Sequence, residues 1–382
     1  MAVMVVYIFS HHGISTKNTI PLGNLEKQEM NRINILYLYA EIHSYQVAVF
    51  RELIQRYQAE LHIVHRDRNL TKPYQIPEME HVRFYPKSRM GTAEILALAA
   101  HLEPTLVYVS GWMDEDYLKA AKRMRQKGIP VVAGSDTQWK GTFRHYVASL
   151  TARFSFRNCF SHIWVAGPYQ YEYARRLGFR PEQILFNTLS ADVGLFSHGV
   201  NFLEEKAAQY PRTFLYVGNF RKVKGTDILA SAFREYRMKY RGDWQLCCIG
   251  SGDIRHELEN QEGIEVHSFL PQEQLLPFIR RSGAFILPSR YDQWGVVVHE
   301  FAAAGMPMLV TNRVGAHTTF LINRFNGYLV KAGDPSDLAD KMDLLARTAA
   351  SELIEMGRRS SMLASRITPE MTAASLMSII SR

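Results

Sequence analysis

At 382 residues the chain is longer than one hydrophobic core usually organises, so two domains are expected. Hydrophobic residues make up 47% and charged residues 21%, which excludes a disordered or collagen-like chain. A net charge of +8 favours an acidic partner: nucleic acid, an anionic membrane surface or a phosphorylated small molecule.

Residues 1–9 are apolar, but no basic residue precedes them and no cleavage site follows, which argues against a signal peptide. Residues 10–29 are polar and aperiodic. A clean strand at 33–39 begins close behind Met30, so Met30 is the expected natural start and residues 1–29 an upstream extension. Strand and helix then alternate. Val47, Phe50, Ile54 and Tyr57 fall at helical spacing and predict a helix over 46–58. Strands follow at 61–64, 106–109, 130–133 and 163–166, the last expected to be the last central strand of this half, with helices at 93–102 and 115–126. Residues 190–211 break the rhythm and read as a linker.

The pattern restarts with a strand at 214–217, a helix after Gly225, a strand over 244–249 and a helix near 254–260. A strand at 284–287, a helix at 296–304, a strand at 308–310, a helix at 336–346 and another near the C-terminus complete it. Short apolar strands alternating with helices mean parallel, helix-covered sheets, whose ligands sit at the carboxyl ends of strands. The expected organisation is an α/β domain over 31–190, a linker over 191–211, a second α/β domain over 212–363 and a helical tail over 364–382.

The most specific segment is 292–307, where acidic Asp292 is followed by Gly295 and then by a helix containing Glu300. Gly295 lets backbone approach a ligand, and N–H groups at a helix start suit a phosphate. Glu300, about one and a half turns inside, can accept from the vicinal hydroxyls of a ribose or sugar. Earlier, Asn219, Arg221, Lys222 and Lys224 follow a strand, and three cations in one short loop can hold a diphosphate and stabilise charge on a leaving group. Gly250 and Gly252 end a second strand without a full dinucleotide fingerprint, so no nicotinamide site is expected. The turn at 266–271, with Phe269, could read a base edge through its backbone. Each feature alone is also an ordinary surface turn or a solvent-facing carboxylate on a sheet-covering helix.

Together and in this order, these segments resemble the retaining glycosyltransferases of family four (glycosyl transferases group 1), built on the GT-B fold, over residues 214–346. The resemblance implies two Rossmann-like α/β domains facing a cleft. It implies donor ribose on Glu300, the transferred sugar on Asp292 and the diphosphate on Lys224. The first acid of the family's pair is usually Glu, so Asp292 is a shorter replacement. Asn219 stands where the family has arginine, leaving Arg221 or Lys222 to substitute. The later glycine pair is reduced to Gly315 and Ala316, and the acid that often follows is Thr319 here.

The first half resembles the family loosely. Tyr39, Glu41, His43 and Tyr45 follow its first strand without the usual double glycine, and polar and aromatic groups there suit a sugar acceptor or, equally, a capped helix entry with buried tyrosines. Asp136 stands nearest to where the family often has a histidine touching donor sugar, and Trp139 could stack on a sugar face. Expected catalytic residues are thus Lys224, Arg221, Asp292 and Asp136. Expected donor contacts are Asn219, Lys222, Gly250, Gly252, Phe269, Gly295 and Glu300. Expected acceptor contacts are Tyr39, Glu41, His43, Tyr45 and Trp139.

The implied activity is transfer of a hexose-type sugar, with retention, from a nucleoside diphosphate donor to a glycan or lipid-linked acceptor in surface polysaccharide or glycoconjugate synthesis. No metal and no cofactor is expected. The alternatives are a GT-B nucleotide-sugar epimerase and a non-catalytic scaffold that binds nucleotide sugar or polysaccharide. Asp114, Glu115 and Asp116 match the acidic triplet of metal-dependent transferases of the other major fold, but acids in a first helical turn are ordinary capping. His11 and His12 have no metal partner at useful spacing, and no nucleic-acid motif accompanies the basic charge. Cys159, Cys247 and Cys248 make neither a disulfide framework nor a paired zinc site, and fit a reducing compartment. With His299, Cys247 and Cys248 read as structural. Arg144, Arg153, Arg157, Arg175 and Arg176 suggest contact with an anionic membrane surface, which places the protein in the cytoplasm, on the inner face of the membrane.

Overall fold

A computed structural model describes residues 33–67, 76–259 and 261–380, apart from the side chains of Arg144, Ala148, Arg153 and Phe154. The expected N-terminal extension and His11 and His12 lie outside the described residues. Ile33–Arg382 belong to one compact unit.

The first half runs β1 (Asn34–Leu38), α1 (Ser44–Tyr57), β2 (Glu60–His65), β3 (Val82–Pro86), α2 (Thr92–Leu102) and β4 (Leu106–Val109). It continues with α3 (Glu115–Gln126), β5 (Val131–Ser135), α4 (Phe143–Cys159), β6 (His162–Val165), α5 (Pro168–Arg176) and β7 (Ile184–Leu185). Two short helices, α6 (Val193–Ser197) and α7 (Phe202–Ala208), lead to β8 (Thr213–Val217), α8 (Thr226–Tyr240), β9 (Gln245–Ile249) and β10 (Ile264–His267). Then come α9 (Leu276–Arg280), β11 (Ala284–Leu287), α10 (Val296–Ala303), β12 (Met308–Thr311), α11 (His317–Phe320) and β13 (Gly327–Val330). The chain closes with α12 (Pro335–Ala346), α13 (Ala350–Ala364) and α14 (Pro369–Met377).

The strands form two sheets, ordered β3-β2-β1-β4-β5-β6-β7 and β10-β9-β8-β11-β12-β13, with every pairing parallel. This is the expected pair of Rossmann-like α/β layers. Alternation along β1 shows why both faces need helices. Ile35 and Tyr37 pack with Phe50 and Leu53 of α1, whereas Leu36 and Leu38 pack with Tyr117, Ala120 and Ala121 of α3.

Two local expectations change. The helix expected near 254–260 is a single 3-10 turn, Arg255–Glu257, because only Ile254 and Leu258 reach the core and the charged residues between them face out. The expected linker is largely helical: Phe196 is buried in the second core, with α6 beside α10, and Leu203 is buried, with α7 beside α13. The strand at 163–166 is the last central strand of its sheet, as expected, with β7, a two-residue strand, at the edge beyond it. The C-terminal stretch also divides. α13 packs on α10 of the second half, while α14 returns to α1 of the first, placing Ala373, Leu376 and Met377 in its core. Among the described residues no helix is long and apolar enough to cross a membrane.

Candidate active site

The strand order of the second sheet reverses between β8 and β11, and a crevice opens at the carboxyl ends of strands where such a reversal occurs. The loop after β8 supplies Lys224 and the loop after β11 supplies Asp292. Their side chains meet there, Lys224 Nζ lying 2.6 Å from Asp292 Oδ2. Local backbone brings them together. Lys222–Lys224 form a 3-10 turn ended by Gly225 at φ +72°, where a Cβ would stand 2.0 Å from the Pro288 carbonyl oxygen and push the two loops apart. Arg290 ties the same loops: it grips Asp227 through two bonds of 2.5 and 2.7 Å and donates to the Lys222 carbonyl at 2.7 Å. The Arg290 guanidinium holds the Asp227 carboxyl below its ordinary range.

Gly295, at φ +85°, turns the chain into α10, and a Cβ there would sit 2.9 Å from Val314 Cγ1 and 3.3 Å from Asp292 Oδ2. One and a half turns on, Glu300 is buried and accepts from the Gln272 amide, which reaches it from the turn after β10. Arg221 and Lys222 are exposed, and among the described residues neither side chain forms an ion pair. Asn219 is half-buried, its carbonyl accepting from the Tyr216 hydroxyl at 2.9 Å. Gly250 is buried beyond β9, Gly252 is exposed, and Phe269 stands partly exposed beyond β10.

From the first half, Asp136 follows β5. Burial holds its carboxyl above the ordinary range; Asp292 adds to that shift and Lys224 opposes it, so Asp136 shares the electrostatic environment of the Lys224–Asp292 pair. Tyr45, in the first turn of α1, joins the same group. Its hydroxyl is raised chiefly by burial, with Tyr39, Asp136 and Glu300 contributing. Tyr39 stacks on Tyr108 at 5.5 Å, accepts from Gln46 Nε2 at 2.6 Å and is pushed up to about 12 by burial. His43 is the N-cap of α1, its backbone N–H donating to Gln46 Oε1 at 2.7 Å, and Glu41 pairs with Arg66 at 3.5 Å. Trp139 packs edge-on against Tyr146 at 4.8 Å, and the Arg176 guanidinium lies 4.5 Å from its ring centroid. The ring is thereby engaged in anchoring α4 and α5.

Two residues that sequence reasoning missed join the halves. Gln138 Nε2 donates to the carbonyls of Asp292 (3.1 Å) and Gln293 (2.8 Å). Gln170 Nε2 donates to those of Asp136 (3.0 Å) and Gln293 (2.5 Å). Lys140 adds its ammonium 4.2 Å from the Tyr291 ring centroid. The only available sequence signal was the position of Gln138 in the loop already singled out for Asp136 and Trp139.

The acidic triplet is occupied structurally. Asp114 caps α3 by accepting from the Tyr117 N–H at 3.1 Å, and Asp116 binds Lys87 at 2.8 Å and Thr92 at 2.7 Å. Away from the cleft, ligand atoms of Cys247, Glu265 and His267 converge within 4.8 Å of one another. Arg281 Nη2 already lies 3.0 Å from Glu265, 3.3 Å from His267 and 4.0 Å from Cys247, so a guanidinium takes the place a cation would have.

Residues 201–359 match the family model of glycosyl transferases group 1. An uncharacterised glycosyltransferase of Methanocaldococcus jannaschii is 30% identical over 134 residues, 34% of this chain and 36% of that protein. A D-inositol 3-phosphate glycosyltransferase of Corynebacterium aurimucosum is 28% identical over 184 residues, 43% of each chain. The chain thus spans less than half the length of these curated relatives. Among solved structures, Anabaena HepE in complex with UDP and glucose superposes with a TM-score of 0.68 at 12% identity, over 92% of this chain and all of that one. At that identity the likeness is one of fold, and the fold is GT-B.

Proposed function

We propose that this protein, whose residues 201–359 match the model of glycosyl transferases group 1, transfers a hexose-type sugar from a nucleoside diphosphate donor to a glycan or lipid-linked acceptor, with retention and without a metal. The reading rests above all on one observation: Lys224 and Asp292 meet at the strand reversal, with Glu300 buried just behind them in α10. In this reading the donor ribose takes the place of Gln272 on Glu300, and the diphosphate lies along the loop of Arg221, Lys222 and Lys224. As the bond from anomeric carbon to diphosphate breaks, positive charge grows on the carbon and negative charge on the phosphate. Lys224, with Arg221 or Lys222, opposes the latter, each contact contributing about 2–4 kcal/mol to the transition state. Asp292 contacts the sugar, and Asp136 faces it from the other half. The acceptor enters beside Tyr39, Glu41, His43, Tyr45 and Trp139.

The test is thermal unfolding with UDP, GDP, ADP and their sugar conjugates, on the natural protein and on Glu300→Ala. A nucleotide at about 100 times its dissociation constant adds roughly 2.7 kcal/mol of stability. The expected result is stabilisation by one nucleotide, lost in the variant. No stabilisation by any of them would remove the transferase reading.

A further inference from the structure

Helix α4 is built the wrong way round for a helix that only covers a sheet. At 100° per residue, His145, Ala152, Phe156 and Cys159 share one face. That face is inward: His145 stacks on Tyr173, Ala152 and Cys159 are buried, and Phe156 packs on Trp112 at 5.1 Å. Phe143, Tyr146, Val147 and Leu150 lie on the opposite face at i, i+3, i+4 and i+7, the spacing that normally marks a core stripe. Here they are 84%, 55%, 47% and 64% exposed. Met113, 90% exposed, stands next to Trp112 on the adjoining loop.

Along its own stretch of sequence the helix carries charge of one sign, the nearest acids in neighbouring elements being Asp114 and Glu115 at the start of α3. No Asp or Glu occurs between Asp136 and Glu172, whereas Lys140, Arg144, Arg153 and Arg157 all fall within that stretch. The side chains of Arg144 and Arg153 lie outside the described residues; Lys140 and Arg157 are exposed. An apolar stripe on a segment whose only charges are cationic matches a helix lying in the interface of an anionic bilayer, with its apolar side among acyl chains and its cations among headgroups. A protein partner would need an acidic rim around an apolar groove; an anionic bilayer supplies both properties over any area.

We propose that the outer face of α4 docks this protein onto an anionic lipid surface. Lys140, two residues before the Thr142 cap of α4, lies against Tyr291 of the second half, so the helix starts at the mouth of the cleft. Docking there brings the cleft to the bilayer, where a lipid-linked acceptor would be met. Only that last step rests on the transferase reading.

The experiment is co-sedimentation of the full chain, without nucleotide, with vesicles of phosphatidylcholine alone and of phosphatidylcholine mixed with phosphatidylglycerol. The expected result is binding to the mixed vesicles only, weakened at high salt. Binding should fall at least about tenfold in F143S/L150S, as loss of inserted apolar area requires. Circular dichroism and thermal unfolding of the variant check that it is folded. Lys140→Glu, an exposed charge reversal that leaves the stripe intact, gives a second reading and should also weaken binding. Absence of sedimentation by the natural protein, or equal sedimentation of a folded F143S/L150S, would overturn the proposal. So would a concentration-dependent dimer abolished by F143S/L150S, which would assign the stripe to a second copy. Vesicle binding without nucleotide stabilisation would leave docking in place and remove the transferase reading; the converse result would do the opposite.

Discussion

His299 stands beside Glu300 in α10, yet its environment is that of a structural residue. The Ala191 N–H donates to His299 Nδ1 at 3.0 Å, so the ring is neutral with its proton on Nε2, which donates to the Ala364 carbonyl at 3.0 Å. Its ring stacks on Phe320 at 4.0 Å. Protonation would set Nδ1–H against the Ala191 N–H, and burial lowers the pKa from 6.5 to about 4 although the Ala364 and Ile367 carbonyls pull it up. The folded value lies below the unfolded one, so this contribution is complete above about pH 6.5 and is lost as pH falls towards 4, about 3 kcal/mol in all. Urea unfolding across that range should show the decline, and His299→Gln should flatten it; the same slope in both proteins would refute the assignment. At this scale, legibility followed motif spacing. Lys224, Asp292 and Glu300 could be named because their order and spacing together resemble a family pattern, although each alone reads as an ordinary charged residue of a turn or helix. Gln138, Gln170 and Gln272 could not, because a glutamine donates to whatever carbonyl or carboxylate the fold brings near.

The loop from β11 to α10 is held from outside its own half. Gln138 and Gln170 converge on the Gln293 carbonyl, and Gln138 also fixes that of Asp292. Gln138→Leu removes two hydrogen bonds across the halves, leaving the Gln293 carbonyl to Gln170 and that of Asp292 to the Gly315 N–H, and is expected to destabilise by about 1–3 kcal/mol. The loss should be local: amide exchange of Asp292 and Gly315, whose N–H groups bond to Arg313 and Asp292, should accelerate more than that of β12. Uniform exchange in the variant would mean that the glutamines do not hold the loop. Elements were legible where burial followed one simple pattern. β4 and α3 have the expected bounds because Leu106–Val109 is uninterruptedly apolar and α3 begins with an acidic cap and ends near a glycine. α4, seventeen residues long, gave no signal because its apolar positions divide between two opposite faces and blur the helical period. The helices at 193–208 were hidden by their shortness.

At the scale of the whole molecule, the chain crosses between its halves twice, once through 186–212 and again through 365–368. The second crossing was not legible, since α14 has the sequence of any short helix and nothing in it names α1 as its partner. Arg56 meets Glu370 at 3.0 Å, and Leu376 and Met377 are buried among residues of β1 and α1. Each such side chain stabilises by roughly 1.5–3 kcal/mol, so deleting residues 368–382 is expected to cost roughly 3–6 kcal/mol. The damage should appear at the far end of the sequence, as faster proteolysis within α1 and β1 while the second sheet keeps its protection; loss confined to the second half would refute this. The return of α14 also bears on synthesis. Domains generally fold as units in the order in which they leave the ribosome. Here the strands of the first sheet emerge first, but the core they share with α1 stays incomplete until α14, made after every other described element, has been released. The half that is translated earliest is completed last, and until then its apolar surface is for chaperones to shield.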